Sequence, residues 1–191
     1  MAATAPSAGA SELDELTLKR AQRGEAAACT QLVKRYERVV FAIVSRLLTP
    51  SGRRAAIEDV AQETFLRVFR ALPNWDARGG AKLSTWILTI ATRVALNELR
   101  RRPATGEILT DAALATPPSP VELRSLGRAI ERAVAALVPE YRAAFVLREF
   151  HELSYEEIAR ALDVDVGTIK SRLSRARAAL QAALAEVHHE Q

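Results

Sequence analysis

The sequence predicts an all-α chain folded as two small domains, and three observations predict it. Apolar residues recur at helical spacing over most of the 191 residues. No stretch alternates apolar and polar residues between hairpin turns, which removes the sheet classes. A stretch rich in Pro, Thr and Ala, PATGEILTDAALATPPSP at 103–120, cannot build a core and separates the periodic segments into two groups. Aromatic residues make up only 5% of the chain, which suits small aliphatic helical cores.

Each element follows from the pattern. Residues 1–10 are, after Met1, only Ala, Ser, Gly, Pro and Thr, and predict a disordered N-terminus. An N-terminal domain spans 11–102. Its first helix carries Leu13, Leu16 and Leu18 and ends near Gly24. A second runs from about Glu25 to Leu48, with Leu32, Val33, Tyr36, Val39, Val40, Ile43, Val44 and Leu47 as the buried stripe, and TPSG (49–52) stops it. A third runs from about Arg53 to Leu72, with Ile57, Val60, Ala61, Phe65, Val68 and Phe69 inward, and Pro73 ends it. The Gly-containing loop NWDARGGAKL follows, and Ser84 is placed to cap a fourth helix that carries Trp86, Ile87, Ile90, Ala91, Val94 and Leu99. That helix closes on Arg100, Arg101 and Arg102, which the macrodipole favours at a C-terminus. Residues 103–120 are the linker, and a C-terminal domain spans 121–187. It opens with a helix marked by Leu123, Leu126, Ile130, Val134 and Leu137, then a helix from Pro139 to about Phe150.

Composition limits the function classes. Net charge is +4, which accommodates an anionic partner without demanding one. The single cysteine, Cys29, excludes an intramolecular disulfide framework and a cysteine-rich zinc site. It reads as a small hydrophobe on an amphipathic helix. No apolar run approaches the roughly 20 residues that span a bilayer, and the N-terminus lacks the basic and apolar regions of a secretory leader. A cytoplasmic protein with no membrane insertion is expected. His188 and His189 are too few for a metal site, and no Gly-rich phosphate loop or convergent catalytic set is present. No enzyme activity, metal or cofactor is therefore expected.

The stretch SYEEIARALDVDVGTIKSRLSRARAAL (154–180) carries the functional signal. Ser154 and Glu157 fit a capping box, and Tyr155, Ile158, Ala159 and Leu162 face a core. Asp163 and Val164 make a turn, Asp165 caps the next helix, and Ile169, Leu173, Ala176 and Leu180 form that helix's inner face. This is a helix-turn-helix. The opposite face presents Lys170, Ser171, Ser174 and Arg175, where short hydroxyls beside long cations suit a major groove. Gly167 and Thr168 stand at the helix N-terminus, where free N–H groups can meet a phosphate. Arg172 and Arg177 are placed for flanking phosphates. The second helix therefore reads DNA.

The C-terminal block, ALVPEYRAAFVLREFHELSYEEIARAL followed by VGTIKSRLSRARAAL, resembles the DNA-binding region of bacterial RNA polymerase sigma factors, in particular the extracytoplasmic-function (ECF) group. IEDVAQETFLRVFRAL (57–72), LSTWILTIATRVALNELRRR (83–102) and LVKRYERVVFAIVSRLL (32–48) resemble three successive helices of the same group, in its order. The resemblance implies that the chain binds core RNA polymerase through the largest-subunit coiled coil and the flap, directs it to a promoter and opens the duplex. Promoter DNA is then the second partner and an anti-sigma factor the third. Lys170, Ser171, Ser174 and Arg175 would contact the −35 element, supported by Thr168 and Arg172. Asp59, Gln62, Glu63, Leu66 and Arg67 match the polymerase-binding helix. Asp59, Glu63 and Arg67 also stand at the spacing of ordinary i,i+4 surface ion pairs. The loop 76–84 corresponds to the segment that captures a base flipped from the non-template strand. Arg78, Lys82 and Ser84 belong to that loop, with Arg93 and Asn97 on the helix behind it. The chain carries Leu83 where many members have an aromatic residue, and Ala91-Thr92-Arg93 where members often read Ala-Arg-Asn. Trp75 and Trp86 flank the loop. Trp86 sits in an apolar stripe and reads as core, while Trp75 suits either core packing or base stacking. A stand-alone helix-turn-helix regulator is the competing reading, and the N-terminal block argues against it.

Overall fold

The computed structural model describes residues 12–76, 81–101 and 121–189, and every regular element among them is helical. The predicted N-terminal tail and the linker 103–120 lie outside the described residues. The first four helices are α1 (Glu15–Gln22), α2 (Ala26–Leu48), α3 (Ile57–Ala71) and α4 (Leu83–Arg101). The second four are α5 (Val121–Ala136), α6 (Pro139–Glu149), α7 (Tyr155–Leu162) and α8 (Val166–His189).

Local chemistry sets most of the ends. Asp14 caps α1, its carboxylate accepting the Thr17 N–H at 2.8 Å. Gly24 at φ 79° and Gly52 at φ 68° turn the chain out of α1 and α2 in the left-handed region that glycine enters without strain. The third helix is shorter than its pattern predicts. Tight 3₁₀ turns at Arg54–Ala56 and Leu72–Asn74 flank α3, the second containing Pro73.

One sequence expectation, the Ser84 cap, fails here, and one apolar residue of the first helix faces solvent. Leu16 does not face the core but is 68% exposed, while Leu13 and Leu18 pack inward. Leu13 precedes the helix, and residues two apart stand about 200° apart around it, so Leu16 and Leu18 cannot share a face. Ala21, three residues after Leu18, completes the inner face instead. Ser84 is not the cap of α4 either. The helix begins at Leu83, and Ser84 lies within it with 8% of its surface exposed.

In the first half, α2 is the central element and packs against α1, α3 and α4, while α3 also packs on α4. Leu32, Tyr36, Val40, Ile43, Val44 and Leu47 meet Val60, Ala61 and Val68 of α3 and Leu83, Ile87 and Ala91 of α4 in the core. In the second half, α8 is the spine, packing on α5, α6 and α7. Its Ile169, Leu173, Ala176 and Leu180 are all buried, as the pattern predicts. Burying each large aliphatic side chain contributes about 1.5–3 kcal/mol, so these stripes orient the helices.

The two halves also pack on each other, α4 against α7 and α2 against α6, and their buried residues form one continuous cluster. Arg142 of α6 sits at the junction, 3% exposed. Its guanidinium donates to the carbonyls of Ala135 (2.6 Å) and Leu137 (2.7 Å) at the end of α5 and to that of Leu47 (2.9 Å) at the end of α2. Longer bonds run to the Val134 carbonyl and the Ser51 hydroxyl, each 3.3 Å. One side chain thus satisfies terminal carbonyls of two helices that face each other across the junction.

Candidate nucleic-acid and protein interfaces

The helix-turn-helix is held by local bonds. Ser154 Oγ accepts the Glu157 N–H at 3.1 Å, and Glu157 Oε2 accepts the Ser154 N–H at 2.8 Å, completing the capping box. Asp163 takes the left-handed conformation at φ 55°, and the Val164 N–H returns to the Ala159 carbonyl at 3.1 Å. Ile158, Ala159 and Ala161 bury the inner side of α7. Asp165 then caps α8, accepting the Thr168 N–H at 2.7 Å and the Thr168 hydroxyl at 2.5 Å. Those two bonds hold its carboxyl below the ordinary aspartate range. A Cβ on Gly167 would lie 2.9 Å from Asp165 Oδ1, so a larger residue there would push the capping carboxylate aside. The Thr168 N–H is therefore not free for a phosphate. The protein supplies its own anion at that helix end, which corrects the expectation from sequence.

With the inner face of α8 buried, Lys170, Ser171, Ser174 and Arg175 lie exposed on the opposite surface, and Arg172 is half-buried beside them. Ser171 Oγ donates to the Thr168 carbonyl at 2.9 Å. Arg175 Nη1 donates to the Tyr141 hydroxyl at 2.8 Å, and Arg177 pairs with Glu149 at 2.9 Å. Both arginine contacts are exposed and weak enough to exchange for a ligand.

On α3, Asp59, Gln62, Leu66 and Arg67 are exposed and Glu63 is half-buried, while Val60, Ala61, Thr64, Phe65 and Val68 face the core. The intervals of three, four, seven and eight residues place the first group on one face. Arg67 Nε donates to Glu63 Oε1 at 2.7 Å, and this bond holds the Glu63 carboxyl below its usual range. The surface pair expected from spacing is thus formed. Leu66 is 51% exposed in the middle of that face.

Around the loop that joins α3 to α4, Lys82 is exposed, and Arg78 lies outside the described residues. Ser84 is turned into the protein: its hydroxyl donates to Glu12 Oε1 at 2.6 Å, and its N–H approaches Glu12 Oε2 at 3.4 Å. On the other side of the loop, the Gln22 amide donates to the carbonyls of Leu72 (3.1 Å) and Trp75 (2.8 Å). Trp75 and Trp86 pack against each other, with ring centres 6.1 Å apart and planes tilted by 45°. Both are partly buried against the core.

Arg93 and Asn97 are exposed on α4, but Arg93 is engaged. Its Nε donates to the Ala161 carbonyl at 2.9 Å and its Nη2 to the Arg160 carbonyl at 2.6 Å, so it caps the C-terminus of α7. Nearby, Thr85 Oγ1 reaches Glu157 Oε1 at 3.4 Å. Asn97 and Arg100 line a shallow groove with Leu162 and Asp163. In the same inter-half seam Arg46 lies over the Phe150 ring at 4.4 Å. His151 is 6% exposed with an unpartnered, buried Nε2. Burial, aided by Arg46, pushes its pKa down to about 4.

Sequence reasoning did not single out Glu12, Gln22, Arg142 or His151. Arg142 had a local signal, a cation beside Ala143 and Ala144 on the most apolar part of α6. Glu12 had none, because its partner lies 72 residues away.

Known proteins resemble the chain over nearly its whole length. The family model for sigma-70 region 2 matches residues 32–105, and that for sigma-70 region 4 matches residues 127–180. The ECF RNA polymerase sigma-E factor of Escherichia coli K12 is 35% identical over 181 residues, covering 87% of this chain and 92% of that protein. The RNA polymerase sigma-H factor of Pseudomonas aeruginosa is 32% identical over 187 residues, covering 91% and 94%. In fold, the chain is similar to the sigma factor RpoE of Bartonella quintana, solved with the anti-sigma factor NepR. The TM-score there is 0.63 at 24% identity, over 81% of this chain and 96% of that one. It is likewise similar to CnrH, solved with the cytosolic domain of CnrY, at a TM-score of 0.61 and 23% identity over 91% and 97%.

Proposed function

This chain belongs to the extracytoplasmic-function group of RNA polymerase sigma factors, and from that premise we propose how its surfaces divide the work of promoter-directed initiation. It binds core RNA polymerase, directs it to promoter DNA, and is controlled by an anti-sigma factor. It acts in the bacterial cytoplasm and performs no covalent chemistry of its own. The observation that carries the reading is that regions 2 and 4 lie in order on the two halves of one chain, each half exposing a distinct polar face.

Residues 11–102 form the half that binds polymerase and the −10 element, 103–120 the linker, and 121–187 the half that reads −35. The α3 face of Asp59, Gln62, Glu63, Leu66 and Arg67 docks on the polymerase coiled coil, with exposed Leu66 as its apolar centre and the charged rim setting orientation. Lys170, Ser171, Ser174 and Arg175 read the −35 element in the major groove, with Arg172 and Thr168 supporting them. Arg78, Lys82, Arg93 and Asn97 serve the −10 element and melting. Arg93 can do so only after leaving the carbonyls of α7. Ser84, whose hydroxyl is committed to Glu12, contributes by holding the loop rather than by touching DNA.

The test is reconstitution. Core RNA polymerase plus this chain transcribes a genomic library, and the 5′ ends of the transcripts are sequenced. Enriched start sites preceded by two spaced common elements support the reading. Tight, specific duplex binding by the protein alone, with no transcription on adding core enzyme, overturns it.

A further inference from the structure

The segment between Trp75 and Ser84 is, on the reading above, the one that captures an extruded base. Both of its stems are tied to the same short N-terminal stretch. On the upstream stem, Gln22 at the end of α1 donates to the Leu72 and Trp75 carbonyls, 3.1 and 2.8 Å away. On the downstream stem, Glu12 accepts the Ser84 hydroxyl at 2.6 Å and stands by the Ser84 N–H. Glu12 is held in turn by Tyr36, whose hydroxyl donates to Glu12 Oε2 at 3.3 Å and accepts the Leu13 N–H at 3.3 Å. Tyr36 is 1% exposed on α2, so this anchor is fixed in the core. Trp75 against Trp86 closes the pair of stems across the loop.

We propose that Glu12 and Gln22 are positioning residues for promoter melting, bracing the two stems of the base-capturing segment from one N-terminal stretch. The proposal rests on the sigma-factor reading. Glu12 and Gln22 do not touch the DNA themselves. Their bonds set where the segment leaves α3 and where it enters α4, so the ordering cost of those stems is met when the chain folds, not when the strands separate. Position, not charge, is what Glu12 contributes. A carboxylate at the start of α4 repels the phosphates that the helix end would otherwise attract, so the side chain's value lies in its bond to Ser84.

The test uses holoenzyme carrying Glu12→Ala, Glu12→Gln or Gln22→Ala on a promoter recovered by the reconstitution, presented as duplex or with the −10 region mismatched and already open. Permanganate reactivity of unpaired thymines reads the opening, and run-off transcription reads the output. The alanine variants are expected to lower duplex opening about five- to tenfold, the size of losing one cap-type bond. On the pre-opened template they transcribe as wild type does. Glu12→Gln keeps one oxygen to accept from the Ser84 hydroxyl but gives up the acceptor that Tyr36 uses, so its duplex opening falls between wild type and Glu12→Ala, and on the pre-opened template it transcribes as wild type does. Equal loss on duplex and pre-opened templates, or wild-type opening by both alanine variants, overturns the proposal. So does a Glu12→Gln defect as large as that of Glu12→Ala. Failure of the sigma-factor reading is distinguishable, because wild-type protein would then give no specific transcript on either template.

Discussion

Replacing Arg142 by Met removes a buried cation while roughly preserving the volume of its stem, and the structure sets the size of the effect. Three of its bonds are short, to Ala135, Leu137 and Leu47, and two are long. A buried carbonyl left without its donor costs about 1–3 kcal/mol, so freeing the three carbonyls on the short bonds costs roughly 3–9 kcal/mol. Against this stands the cost of holding a guanidinium with no carboxylate partner among these bonds. Burial drops the Arg142 pKa to about 10, below the ordinary guanidinium range, which corresponds to about 3 kcal/mol. The difference has its centre near ~3 kcal/mol. For a chain of this size that lowers the melting temperature by about 6–12 °C. Far-ultraviolet circular dichroism through thermal and urea unfolding measures it. Arg142→Lys should recover little, because one ammonium cannot reach the ends of both α2 and α5. A Met variant within about 0.5 kcal/mol of wild type, the scatter of neutral surface changes, refutes the reasoning.

Three further outcomes are expected. His151 binds a proton below about pH 6.5 when unfolded and only below about pH 4 when folded, so its contribution to stability is fully present above pH 6.5 and is lost as pH falls from 6.5 toward 4. The loss amounts to about 3 kcal/mol, and urea unfolding across that window should show a slope that His151→Leu flattens; equal slopes in the two proteins exclude it. Ser154→Ala removes the hydroxyl that accepts the Glu157 N–H, leaving the backbone arm to Glu157 Oε2, and should cost about 1 kcal/mol by chemical denaturation, whereas an unchanged midpoint would mean the cap is idle. The two proposed interfaces should separate by assay. Lys170→Ala and Arg175→Ala each weaken −35-dependent transcription by about 1–3 kcal/mol and leave core binding intact. Asp59→Ala with Glu63→Ala weakens core binding and leaves the helical spectrum intact. Unchanged promoter selection or core affinity in the respective variants rejects the assignment.

What the sequence determined by itself is what depends on neighbours within four residues. Helical period, the Ser154–Glu157 box, the left-handed turn at Asp163, the Asp165 cap and the stop at Pro73 are short-range, and each is present in the structure. The inner face of α8 follows from the same period, and so does the exposed face opposite it. The resemblance to a known family was legible too, because its blocks are contiguous stretches in register. Tertiary structure alone decided the rest. Leu16 has the right chemistry for a core and sits on the wrong side of a short helix. Ser84 has the right chemistry for a cap or a DNA contact, yet a carboxylate 72 residues earlier takes its hydroxyl. Arg93, 67 residues before the carbonyl it caps, and Arg142, 95 residues after the one it holds on α2, join the two halves. Such bonds depend on how helix faces pack across long connections. Periodicity specifies which side of a helix is buried, but not which other helix, or which distant polar group, will be waiting there.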